Sequence, residues 1–184
     1  ESISSDGSGV GRIHGFTVFV PKAVSGDIVR ARITKIKTGY CYAEAVSFLQ
    51  ESGIRTTAPC PVFYDCGGCS LMHIKYDEQL KIKKDIIINA LKRIGGFEDI
   101  NYETTIGTAT PFRYRNKMVF PVGTNSSGKP ICGFYRERSH DIVELSDCII
   151  GDEINREIIA AVMDFIKQNN ISIYDERRHT GLIR

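Results

Sequence analysis

Three cysteines fall within ten residues, in the run Pro59-Cys60-Pro61-Val62-Phe63-Tyr64-Asp65-Cys66-Gly67-Gly68-Cys69, and this run constrains the chain more than any other feature. Cys66 and Cys69 bracket two glycines, so the backbone can turn tightly enough to aim both sulfurs at one centre. Cys60, in an extended proline-flanked stretch, can reach the same centre. Six cysteines could pair as disulfides in a secreted protein, but glycine-spaced clustering is how thiolates gather around a metal in a reducing compartment.

A thiolate-held centre needs a fourth ligand. Cys148 is the candidate, because Leu145-Ser146-Asp147-Cys148 leads out of a strand toward a helix and could return the chain to the first three sulfurs. Cys132 competes, but it lies inside an expected strand, where a small buried thiol is the plainer role. Cys41 alternates with Ala43 and Ala45 and is assigned to packing in the same way. Four thiolates suit zinc or a 4Fe-4S cluster. Ligand gaps of five and then two residues differ from paired zinc knuckles, which favours iron-sulfur and leaves zinc as the alternative. His73 reads as a residue packed over this centre rather than a ligand.

The rest of the sequence predicts an α+β fold in two parts. Residues 1–55 read as a small OB-like antiparallel barrel, with strands at 16–20, 28–36 and 40–48 punctuated by Gly15, Gly26 and Gly39. In Ile28-Val29-Arg30-Ala31-Arg32-Ile33, both arginines share a face with Ile28. Residues 52–61 read as a linker, and residues 56–184 as a second domain. That domain would hold a helix over 76–94, with Tyr76, Leu80, Ile87, Leu91 and Ile94 on one stripe and Gly95-Gly96 as its stop. Antiparallel strands are expected over 114–122, 131–136 and 142–145. A second helix over 153–168 would turn Ile154, Ile158, Val162, Phe165 and Ile166 inward.

Composition supports a packed core: 42% of the 184 residues are hydrophobic and 25% charged. A formal charge of +2 is too mild to establish a polyanionic partner, so local clusters must carry that argument. No apolar run approaches the roughly 18 residues of a membrane-spanning helix, and no signal-peptide pattern opens the chain. A cytoplasmic protein with no membrane partner is expected.

The Cys60, Cys66, Cys69 spacing with its CGGC core, followed by Ser70-Leu71-Met72-His73 and Tyr76-Asp77-Glu78-Gln79-Leu80, resembles the 4Fe-4S class of RNA (uracil-5-)-methyltransferases. Gly9-Val10-Gly11-Arg12 through Val18-Phe19-Val20-Pro21 and Gly26-Asp27-Ile28-Val29 resemble the TRAM domain, an OB-like barrel placed ahead of the cluster in that family. Tyr114-Arg115-Asn116-Lys117, Gly133-Phe134-Tyr135 and Ser139-His140-Asp141-Ile142-Val143 resemble its central domain. The resemblance implies a 4Fe-4S cluster on Cys60, Cys66, Cys69 and Cys148, and binding of structured RNA, ribosomal in preference to transfer RNA. It also implies a Rossmann-like domain beyond Arg184 that binds S-adenosylmethionine and supplies a nucleophilic cysteine and a general base. No glycine-rich nucleotide loop lies upstream of Arg184, so the chain alone is expected to be inactive and to rely on that domain in cis.

Arg113, Arg115 and Lys117 alternate along an expected strand, giving a basic row about 6.6 Å per step that could follow a phosphate backbone; a charged, solvated strand edge is the plainer reading. Lys81, Lys83, Lys84, Lys92 and Arg93 read as a solvated helix face. In the barrel, Arg12, Phe16, Phe19, Tyr40 and Tyr42 are candidates for base stacking on RNA, with core packing the plainer reading for Phe16 and Phe19. His140 could hydrogen-bond RNA or cap its turn.

Overall fold

Residues 1–184 are described by a computed structural model. The fold is α+β, with a five-stranded sheet, a three-stranded sheet and two long helices. None of its helices is long and apolar enough to cross a membrane. Proximity divides the chain into two compact units, one of residues 1–59 and 70–107, the other of residues 60–69 and 108–184. The sequence division at 55/56 differs from this grouping, which separates the cysteine run from the helix that follows it.

In the first unit, β1 (Ser2–Ile3), β2 (Gly9–Ile13), β3 (Phe16–Val20), β4 (Ile28–Lys37) and β5 (Tyr40–Gln50) lie in the order β1-β2-β3-β5-β4. The β2–β3 hairpin turns on His14 and Gly15, with φ of 50° and 80°, the left-handed pair that a two-residue hairpin loop demands. Two expectations are corrected here. The sheet is not wholly antiparallel, because β3 pairs with β5 in parallel, and it does not close, since β1 and β4 each have one neighbour. Register shifts at three places along β4 also break its simple alternation. Val18, Val20, Cys41 and Ala43 bury one face of the sheet, with Ala23 packed among them.

The segment that reads as a linker is tied to this sheet. Asp27, with its side chain 1% exposed, accepts two bonds from Arg55, 2.8 Å from Nε and 2.5 Å from Nη2. It also accepts the backbone N–H groups of Val24 at 2.7 Å and Ser52 at 2.9 Å. Burial alone would raise the Asp27 carboxyl, but the Arg55 guanidinium and the two backbone donors hold it below its ordinary value. Arg55 also lies over the Phe48 ring, 4.4 Å from its centroid. Thr56 N–H then bonds the carbonyl of His73 at 2.9 Å. His73 is fully buried, and its Nε2–H donates to the Lys22 carbonyl at 3.0 Å. It is packed, as expected, but among residues of the first unit rather than those that carry the cysteines.

Helix α1 (Tyr76–Arg93) carries Asp77 and Glu78 in its first turn and Lys92 and Arg93 in its last, each complementing the helix dipole. It ends at Gly95-Gly96, where Gly96 takes a left-handed φ of 71°. None of its residues is buried, and Ile87, Leu91 and Ile94 of the expected inward stripe are exposed.

In the second unit, β6 (Val122–Thr124), β7 (Pro130–Tyr135) and β8 (Ile142–Glu144) form an antiparallel meander, and α2 (Ile154–Gln168) packs on β7. The core is Cys132, Met163 and Ile166, lined by Phe120, Val122, Ile159, Ile171, Ile173 and Ile183. Two further expectations fail here. Residues 114–121 are not a strand, apart from a single bridge between Arg115 and Gly151. Helix α2 turns Ile159, Met163 and Ile166 inward, while Ile154, Ile158, Val162 and Phe165 are 47–60% exposed. Apolar residues cover two adjacent stripes of α2, and the sheet takes the stripe one position round from the longer one.

Candidate nucleic-acid interface and cysteine loop

Cross-strand partners share a face of a sheet, and the register of the first sheet builds a grid on the face opposite its core. One row runs Arg12, Thr17, Tyr40 and Lys37; the next runs Val10, Phe19, Tyr42 and Lys35. Phe19, Tyr40 and Tyr42 form a triangle with all three ring centroids 5.7 Å apart, and all three residues are half-buried. Lys35 and Lys37 are exposed beside the tyrosines. Arg12 is exposed and paired with Glu1 at 2.6 Å. Tyr40, Tyr42 and Arg12 therefore do stand together on one face. Phe19, a stacking candidate for which core packing is the plainer sequence reading, joins them, as do Lys35 and Lys37, which are not among the expected contacts. Their signal was the Lys-Ile-Lys and Tyr-Cys-Tyr triplets flanking Thr38-Gly39, which a hairpin at Gly39 sets opposite each other.

The cysteine loop is wholly within the second unit, as is Cys148. All six cysteines are free thiols; Cys41 and Cys132 are buried in the two cores, as expected for packing roles, and the other four are half-buried. Phe63, 1% exposed, anchors the loop, which winds through bonds from Phe63 N–H to the Cys60 carbonyl (3.2 Å) and Cys66 N–H to the Val62 carbonyl (2.8 Å). Cys66 bridges Arg136, and Gly67 N–H bonds the Tyr135 carbonyl at 3.0 Å. A side chain at Gly67 would meet the Glu137 Cα at 3.0 Å and the Tyr135 oxygen at 3.1 Å, so the close approach requires glycine there. Gly68 N–H points at Cys66 Sγ, 3.3 Å away. Asp65 pairs with Arg136 at 2.6 Å.

Burial pushes the Cys60 thiol up, and charge on Cys148 and Cys66 pushes it the same way, so Cys60 lies within electrostatic reach of each of them. As the side chains stand, no three His, Cys, Asp or Glu residues are gathered closely enough to hold a single metal ion. Cys60, Cys66, Cys69 and Cys148 are the residues that could hold a cluster bound through cysteines, and the Gly68 N–H directed at Cys66 Sγ is of the kind that suits one.

Arg113 is built into this region. Its φ is 56°, and its guanidinium grips Asp147 through two bonds of 2.7 and 2.8 Å. Nη1 also donates to the carbonyls of Cys148 (3.1 Å) and Gly151 (3.2 Å). Its own N–H bonds the Ile149 carbonyl at 3.0 Å, and Arg115 N–H bonds that of Ile150 at 2.9 Å. The expected basic row is therefore corrected. Arg113 shapes the turn that presents Cys148, whereas Arg115 and Lys117 stay exposed. His140 is exposed in the β7–β8 turn, its Nδ1 2.9 Å from Glu176.

Residues 1–46 match the TRAM domain. The whole chain is 40% identical to an uncharacterized RNA methyltransferase of Halalkalibacterium halodurans and covers 40% of that protein. Over 97% of its length it is 42% identical to an uncharacterized RNA methyltransferase of Clostridium acetobutylicum, covering 39% of it. Among solved structures, it superposes on the Pyrococcus abyssi tRNA (uracil-54, C5)-methyltransferase, determined in complex with S-adenosyl-L-homocysteine. The TM-score is 0.63 and the identity 26%, over 98% of this chain and 39% of that one. The chain is thus similar over its whole length to part of these RNA methyltransferases, spanning about two fifths of their length, with a TRAM domain match in residues 1–46.

Proposed function

We propose that these residues engage RNA on behalf of an RNA uracil C5-methyltransferase and bind an iron-sulfur cluster through Cys60, Cys66, Cys69 and Cys148. Residues 1–55 would form its TRAM domain and residues 56–184 its iron-sulfur-binding domain. The observation that carries the RNA reading is the sheet face that sets Phe19, Tyr40 and Tyr42 among Arg12, Lys35 and Lys37. Aromatic rings stack on bases of any sequence, and flanking cations neutralise phosphates, so this face suits unpaired stretches of a structured RNA. Arg115 and Lys117 would add phosphate contacts from the second unit. Methyl transfer from S-adenosylmethionine to uridine is proposed for the full-length protein, since these residues match about two fifths of their relatives.

Ligand gaps of five and then two residues, unlike those of paired zinc knuckles, support iron-sulfur over zinc. Two measurements test the reading. The chain purified anaerobically is expected to be brown, with about four irons and four sulfides per chain; stoichiometric zinc in a colourless protein overturns the cluster. Replacing Lys35 and Lys37 by Glu is expected to weaken binding to a uridine-containing RNA stem-loop at least tenfold and to flatten its salt dependence; unchanged affinity rejects the face.

A further inference from the structure

His140 is held still without being buried. Its ring stacks on that of Tyr135, the last residue of β7, with centroids 5.3 Å apart and planes 26° from parallel. The turn that carries it is closed by Arg136 N–H to the Asp141 carbonyl (2.8 Å) and Ser139 N–H to the Arg136 carbonyl (3.1 Å). Nδ1–H donates to Glu176 Oε2 at 2.9 Å, and the other carboxylate oxygen accepts from Arg184 at 2.5 Å. One face and one nitrogen of the imidazole are thus engaged, yet the side chain remains 69% exposed. The second face and the Nε2 edge meet solvent. Ordering a ring in this way costs conformational freedom, and the cost is met before any ligand arrives.

The surroundings select the ligand. Arg138, two residues before His140, is 59% exposed beside Glu137, and Arg178, two residues beyond Glu176, is 82% exposed beside Asp175. A flat aromatic surface with an exposed arginine two residues away on each of its two segments matches one unstacked base and its flanking phosphates. The cysteine loop pairs with the same stretch of backbone, through Gly67 to Tyr135 and Cys66 to Arg136, so it also buttresses the ring.

We propose that the open face of His140, backed by Tyr135, is a stacking platform for one unpaired nucleobase of RNA, with Glu176 as its positioning residue. This rests on the RNA-binding reading above and adds the kind of nucleotide and the place where it is received.

The test uses the 184-residue chain and a short single-stranded oligoribonucleotide with 2-aminopurine placed at each position in turn, with circular dichroism confirming that every variant is folded. One position is expected to be quenched by the wild-type chain. His140→Ala is expected to abolish the quench and weaken binding roughly tenfold, as loss of one base stack does, whereas His140→Phe restores both. An abasic site at that position is expected to weaken the wild-type chain but not His140→Ala. Glu176→Ala is expected to cost a few-fold in the wild-type background and nothing in the His140→Phe background, since phenylalanine has no nitrogen for the carboxylate to hold. Binding without a quenched position, His140→Ala with wild-type affinity, or equal losses from Glu176→Ala in both backgrounds overturns the platform while leaving RNA binding intact. A wild-type chain that does not bind RNA overturns the broader reading, and the platform falls with it.

Discussion

Arg113 and Asp147, 34 residues apart in sequence, face each other through two parallel hydrogen bonds of 2.7 and 2.8 Å. The Arg113 hydrogen bonds hold the Asp147 carboxyl below its usual range, and Asp147 in turn reinforces the charge on the guanidinium. Because the same guanidinium grips the Cys148 carbonyl, the pair fixes the turn that presents the distant cysteine. Lysine cannot reproduce a planar two-pronged grip. Arg113→Lys and Asp147→Asn are therefore expected to raise the rate at which a thiol reagent labels Cys148 in metal-free protein by roughly three- to tenfold, the scale of a modest local loosening. Cys132, buried in the core, serves as the internal control; equal labelling of Cys148 in the wild-type and variant chains would refute the role.

The glycine at 67 makes a sharper demand on the loop. Gly67→Ala places a methyl group 3.0 Å from the Glu137 Cα, where only backbone movement can relieve it, whereas at Gly68 the nearest atom is Cys66 Sγ at 3.4 Å. Iron content after anaerobic purification is expected to fall by more than half for Gly67→Ala and far less for Gly68→Ala, on the order of the loss seen when a tightly packed backbone is displaced. Equal iron in the two variants would count against the docked loop as the cluster's seat.

Burial lowers the His73 imidazole to about 4, and the positive charges of Arg55 and Lys22 act in the same direction. The folded chain therefore holds His73 neutral at a pH where the unfolded chain, titrating at about 6.5, binds a proton. Stability from this group is fully present above about pH 6.5 and is lost as pH falls toward about 4. At about 1.4 kcal/mol per unit the whole loss is on the order of 3–4 kcal/mol. Urea unfolding at several pH values is expected to show this slope in the wild-type chain and a shallower one in His73→Gln.

Asp27 and Arg55 are the buried ion pair of the molecule's first unit, with side chains 1% and 12% exposed. Removing one partner leaves a desolvated charge, so Asp27→Asn is expected to cost about 3 kcal/mol. Because the folded carboxyl is depressed, its contribution is present above the ordinary carboxylate range and fades as pH drops below about 4. A chemical denaturation midpoint unchanged by Asp27→Asn would show that the pair is ornamental.

Helix α2 offers a direct contrast between neighbours. Ile166 is 1% exposed and Phe165 is 60% exposed. Ile166→Ala is expected to cost about 2–4 kcal/mol and Phe165→Ala less than about 1. Comparable losses would reverse the assigned facing.

Local patterns made much of this legible. Alternation located β3 and β5, and Gly95-Gly96 marked the end of α1. What sequence spacing could not supply was long-range pairing. Phe19 joins Tyr40 and Tyr42 only because β3 runs parallel to β5, and Lys35 follows because β4 pairs with β5. Residues 114–121 alternate like a strand, but the left-handed turn at Arg113 and the bonds to Ile149 and Ile150 give their backbone a different partner. In α2 the apolar residues cover too much of the circumference for periodicity to choose the buried side.

The two compact units are interleaved along the polypeptide, which leaves the first at residue 59, returns at 70 and leaves again at 107. Neither can be excised with a single cut. A protease nick between 60 and 69 would cut within the second unit's smaller piece and at the same stroke break the first unit's covalent continuity. Any transplant of the five-stranded sheet onto another protein that stops at its last strand would abandon α1, which belongs to the same compact unit.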